Sequence, residues 1–125
     1  MAQIRAAGVW REGGTYQLRI MSGHGRREEA LRADAAAWRN RVVDDAWGEG
    51  RETARAHHVS IDLIVWGAVQ IEAAIAAGEV EVSRADLAAD RSTRQKSRLL
   101  RYLEARGHIR RGPGRDLIRP IVRNT

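Results

Sequence analysis

The chain has 125 residues, 43% of them hydrophobic, with 22 Lys+Arg against 16 Asp+Glu and a net charge of +6. That length and apolar content suit one domain with a single core and argue against a disordered chain. The absence of Cys excludes disulfides and cysteine-based metal or redox chemistry. No apolar run approaches the roughly 20 residues that cross a bilayer, and the start of the chain lacks a signal peptide's apolar core. The expectation is a soluble, cytoplasmic chain, associated with the nucleoid and without a membrane partner.

Residues 3–22 read as a β-hairpin, IRAAGVW and TYQLRIM joined at Gly13-Gly14. The second arm alternates, with Tyr16, Leu18 and Ile20 on one face. Two strands alone are marginal in water, so this hairpin needs a packing partner. Helical spacing then runs from about Arg26 to Trp47, where Leu31, Ala35, Trp38, Val42 and Ala46 form one apolar stripe. Gly48 and Gly50 stop it, and the polar stretch Arg51–His58 reads as the main hinge. A domain division of 1–58 and 59–125 follows, the first part an appendage for packing or for pairing two copies.

Ile61 to Ala77 is the most apolar element, with Ser60 or Asp62 as its cap and Gly78 as its stop. A short extended stretch, Glu79 to Val82, comes next. Ser83 then caps a short helix, Arg84–Ala89, anchored by Leu87. Ser92 or Asp90 caps a longer helix to about Arg106, with Leu99, Leu100 and Leu103 facing the core. Gly107 ends it, and His108–Arg111 and Asp116–Val122 read as two strands around Gly112-Pro113-Gly114.

Charge is unevenly placed along this order. Residues 83–125 hold twelve Arg/Lys against four Asp/Glu, whereas residues 1–82 hold ten against twelve. A basic block inside a foldable pattern is the electrostatic footprint of a nucleic-acid-binding surface. Twenty-one of the 22 basic residues are Arg, Lys96 being the exception. An Arg-rich coding bias would produce that skew, so placement carries the argument. Arg91, Arg94, Arg98 and Arg101 line one helical face, about 15 Å long, enough to follow a DNA groove wall. Ser92, Thr93, Gln95 and Lys96 lie at the N-terminal end, where such helices meet base edges and phosphates. Arg110, Arg111, Arg115 and Arg119 decorate the hairpin, suited to a minor groove or a phosphate.

The succession of a long apolar helix, AGEVEVSRADLAA and RSTRQKSRLLRYLEARGHIRR resembles the winged helix-turn-helix module of bacterial transcriptional regulators over residues 61–122. The run Leu-Glu-Ala-Arg-Gly-His-Ile-Arg-Arg is its most specific part, because Gly107 must let the helix turn straight into a strand. The span between Leu87 and Leu103 is shorter than in typical members. The resemblance implies an α+β, mainly helical fold with a recognition helix at 92–106 and a basic wing at 108–122. It also implies sequence-specific binding of double-stranded DNA, as a transcriptional regulator. Two other roles fit the module: an accessory factor in replication, partition or recombination, and a protein–protein module such as a phage protein binding a host factor.

Other chemistry finds little support. His57 and His58 point about 100° apart on a helix and lack metal-ligand spacing, and His24 sits in a Gly-His-Gly connection without a phosphate-loop context. Trp38, Trp47 and Trp66 read as core or interface residues and Trp10 as a buried anchor. No nucleophile elbow, metal cluster or phosphate loop is present, so neither enzymatic activity nor a cofactor, metal or small-molecule ligand is expected. A homodimer formed through residues 1–50 is expected, because symmetric DNA sites favour two-fold proteins.

Overall fold

A computed structural model describes the backbone of residues 19–114 and 116–122 and, from residue 26 onward, their side chains. The expected N-terminal hairpin lies largely outside these residues. Its last part, Arg19–Met21, is helical, because the first helix, α1, already begins there and runs Arg19–Trp47. The chain divides into two units, residues 1–33 and 34–125, so residue 58 lies inside the second. In the first unit the described residues are those of α1 up to Ala33, with Arg26 to Ala30 exposed and Leu31 half-buried.

The second unit is α+β and mostly helical. The stripe spaced along α1 becomes its floor: Ala35, Trp38, Val42 and Ala46 are all buried. Arg51–Ala56 forms a short helix, α2, where the polar composition suggests a hinge. The reason is two small anchors inside the polar stretch. Ala54 and Val59 are buried in the common core, and Val59 N–H closes onto Ala54 O at 3.0 Å. Arg51, Glu52 and Arg55 merely form the wet side of that turn.

The apolar helix α3 spans Ile61–Ala76, and Ser60 caps it by accepting from Leu63 N. Its inner face carries Ile64, Ala68, Ile71 and Ile75. Gly67 lies against Leu99 of the following long helix, and a methyl group there would overlap the leucine. Strand β1 is only Val82–Ser83.

The helix expected at 84–89 is a single 3₁₀ turn, Arg84–Asp86. The groups that would extend it are engaged elsewhere. Ala88 N–H donates to Gln70 Oε1 at 2.6 Å, and Leu87 O accepts from Lys96 Nζ at 3.2 Å. Leu87 therefore adopts extended geometry while its side chain stays buried. Tertiary bonds to α3 and to the next helix outcompete the last hydrogen bonds of a very short helix, whose nucleation is costly.

Helix α4, Thr93–Ala105, starts with a reciprocal capping box: Ser92 Oγ accepts from Gln95 N, and Gln95 Oε1 accepts from Ser92 N. Leu99, Leu100, Tyr102 and Leu103 are fully buried. Gly107, at φ +77°, takes the left-handed conformation that ends the helix at little steric cost. The chain enters β2, Ile109–Arg111, two residues later and returns as β3, Leu117–Pro120. The three strands form an antiparallel sheet in the order β1-β3-β2. Pro120 pairs with Ile109 beyond the end of β1, so its missing N–H interrupts no ladder on that side.

Candidate nucleic-acid interface

Register fixes which side chains the sheet presents outward. Val82, Ile109 and Ile118 point into the core, so Arg110 and Arg119, directly opposite one another, share the outer face. Like charges in that position repel. Glu81 neutralises Arg119 at 2.6 Å, which leaves Arg110 exposed and without an ion pair among the described residues. Arg111 lies on the inner side at the sheet edge and reaches Glu104 of α4 at 3.4 Å. Arg115 lies outside the described residues.

The core phase of α4 sets its outer face in the same way. Because Leu99, Leu100 and Leu103 point inward, Arg94, Arg98 and Arg101 follow one another on the opposite side. Arg94 and Arg101 are exposed and Arg98 is half-buried, and none of the three has an ion pair among the described residues. Thr93 is exposed beside them.

Other residues of the expected set are engaged inside the fold. Arg91 precedes the helix and stacks over the Trp66 ring at 5.6 Å, while Trp66 Nε1 donates to Asp90 Oδ1 at 3.2 Å. Lys96 ties α4 to Leu87 O, and Ser92 and Gln95 form the cap. Trp66 is thus half-covered at the module's surface, Trp38 is fully buried, and Trp47 is 60% exposed at the end of α1.

Between α4 and the hairpin runs a cleft of about 390 Å³, bounded by Arg84, Ser97, Arg101, Arg111, Gly112–Gly114 and Asp116. Sequence reading passed over Arg84 and Asp116, which are distant along the chain and look like ordinary turn residues. The one local signal is Ser83 ahead of Asp86, a capping box that starts the 3₁₀ turn carrying Arg84.

Behind this surface, the junction of α4 with β2 is held by a part-buried polar cluster. Asp45 of α1 accepts from Arg106 Nε at 2.8 Å and Nη2 at 2.6 Å, and its Oδ2 lies 3.0 Å from His108 Nε2. His108 O accepts from Trp38 Nε1 and from Ile121 N, each at 3.0 Å. The hydrogen bonds from Arg106 hold the Asp45 carboxyl below the usual carboxylate range, against the opposing effect of burial. Burial lowers the His108 pKa more than the neighbouring carboxylate raises it. The Tyr102 hydroxyl is buried without a hydrogen-bond partner among the described residues, and burial pushes its pKa up. It lies against Gly50, where a methyl group would crowd both it and Asp45.

Among the described residues no cluster of His, Asp and Glu could hold a metal ion, and no helix is long and apolar enough to cross a membrane. No family model, curated protein or solved structure matches this chain.

Proposed function

We propose that residues 61–122 are a winged helix-turn-helix module that binds double-stranded DNA, with α4 in the major groove and the β2–β3 hairpin as the wing. One observation carries the reading. Arg94, Arg98 and Arg101 follow one another on the outer face of α4 and Arg110 stands on the outer face of the sheet, all four without an ion pair among the described residues, as are Arg51 and Arg55, but here gathered on two adjoining elements of the module. Unpaired guanidinium groups on an exposed helix face and the adjoining hairpin match phosphates and guanine edges. The three-stranded sheet after an apolar helix, with a 3₁₀ turn and a longer helix between β1 and β2, supports the same assignment.

Site-specific control of transcription is the role we assign, through an operator that selection of bound genomic fragments would reveal. Fluorescence anisotropy with a selected duplex tests the binding itself. Four phosphate-neutralising contacts give a log–log salt dependence of about −4. Duplex affinity that is absent, or indifferent to salt between 50 and 200 mM, would reject the proposal.

A further inference from the structure

Arg84 is held from three directions at the mouth of the cleft. Its backbone N–H donates to Asp116 O at 2.9 Å, its Nη1 to Ser97 Oγ at 3.0 Å, and its Nη2 pairs with Asp116 Oδ1 at 3.1 Å. The 3₁₀ turn supplies the arginine, α4 the serine and the hairpin the aspartate, so three elements converge on one guanidinium. Arg101 and Arg111 line the same cleft. Among the described residues three cations therefore face one carboxylate, and the cleft keeps a positive excess. Glu104 offsets part of it from outside, through Arg111.

The Asp116 side chain is 47% exposed and that of Arg84 31% exposed. Such a pair is weak, because water already solvates both groups. A guanidinium fork binds a phosphate in the geometry it uses for a carboxylate, by two parallel N–H···O bonds. The Gly112-Pro113-Gly114 tip lines the cleft on the hairpin side.

We propose that this cleft receives one phosphate of the DNA backbone, and that Asp116, through its single ion contact with Arg84 Nη2, stands in the phosphate's place in the free protein until that phosphate displaces it. The proposal rests on the DNA-binding reading above. Asp116 acts as an internal competitor: it keeps Arg84 extended toward the cleft and weakens the capture of any duplex that cannot place a phosphate there. Ser97 keeps the guanidinium in place when the carboxylate swings out to solvent. Because the released Asp116 takes up a cation as the phosphate gives one up, the free protein's pair hides part of the salt dependence.

The test measures the full chain on one selected 20-base-pair duplex across a salt series, with thermal melts to confirm folding. Asp116→Asn is expected to bind about two- to fivefold tighter at low salt, the range set by loss of an exposed pair, and to steepen the salt slope by up to about 0.9. Arg84→Ala is expected to bind about tenfold weaker with a shallower slope. Arg84→Gln serves beside it should the truncation loosen the 3₁₀ turn. Asp62→Asn makes the same change in net charge outside the cleft and is expected to leave affinity nearly unchanged. An equal gain from Asp62→Asn and Asp116→Asn would mean general charge, not displacement, and would overturn the proposal. Wild-type duplex binding with affinity and slope unaltered in the Arg84 and Asp116 variants would overturn the phosphate site while leaving DNA binding intact. Absence of wild-type duplex binding would overturn both. A second arm adds inorganic phosphate alone: if it raises the melting temperature through Arg84 while duplex affinity ignores Arg84, the site belongs to a small phosphorylated ligand and the backbone assignment falls.

Discussion

Two arginine environments on the same helix divide this molecule. At the C-terminal end of α4, Arg106 is locked by two hydrogen bonds to Asp45, beside a buried His108 whose carbonyl accepts from Trp38. Along the outer face of α4, Arg94, Arg98 and Arg101 have no ion pair among the described residues. The first environment spends its charge inside the protein, tying α1 to the point where helix becomes strand. The second keeps its charge at the surface. Loss of a partner is costly where water is excluded and nearly free where it is not. The same side chain therefore ties the fold together at one end and stays at the surface along the other, where the proposed reading places a ligand.

The largest expected effect breaks the inner environment. Asp45→Ala strands Arg106 and removes the anion beside His108, and should destabilise the protein by about 3 kcal/mol, toward the low end of what breaking a buried pair costs because both side chains keep some exposure. A urea titration reads it directly. Unchanged stability would mean that the cluster is ornamental, whereas duplex affinity measured below the melting temperature should hardly move.

The complementary change addresses the outer face. Arg94→Ala and Arg98→Ala should each weaken binding to a selected duplex by about 1–3 kcal/mol if they reach base edges, with the melting temperature preserved. Loss of stability instead of affinity would erase the distinction between the two environments.

The smallest effect sharpens the inner one. The folded-state pKa values of both His108 and Asp45 are depressed, so each contributes stability that is fully present above its unfolded value and is lost as pH falls. Melting temperature should therefore decline below about pH 6.5 through His108 and decline further below about pH 4 through Asp45. His108→Gln should flatten the first limb and leave the second. A melting temperature that rises on acidification would contradict the burial of a neutral imidazole.

Much of the fold was legible because it depends on periodicity. The stripe Ala35–Trp38–Val42–Ala46, the Ser60 and Ser92 caps and the stop at Gly107 each follow from local spacing or local steric preference, and all appear in the structure. The Arg94–Arg98–Arg101 face was legible for the same reason, since Leu99 and Leu103 fix the phase of α4. Residues 51–58 were misjudged because two small buried side chains, Ala54 and Val59, carry little pattern among charged neighbours. The helix expected at 84–89 shrank to one turn because Gln70 and Lys96, far along the chain, take its backbone groups.

By itself, the sequence determined where α3 and α4 start and stop, which faces are apolar, and that the positive charge collects in residues 83–125. Only the tertiary structure decided which of those charges are used up internally. Arg91 lies on Trp66, Arg119 meets Glu81, and Arg84 meets Asp116 across 32 positions of chain, although all three look like the unpaired arginines of α4 when read in order. Periodicity is a property of neighbours three or four residues apart, whereas an ion pair depends on a distance in space that no local spacing encodes.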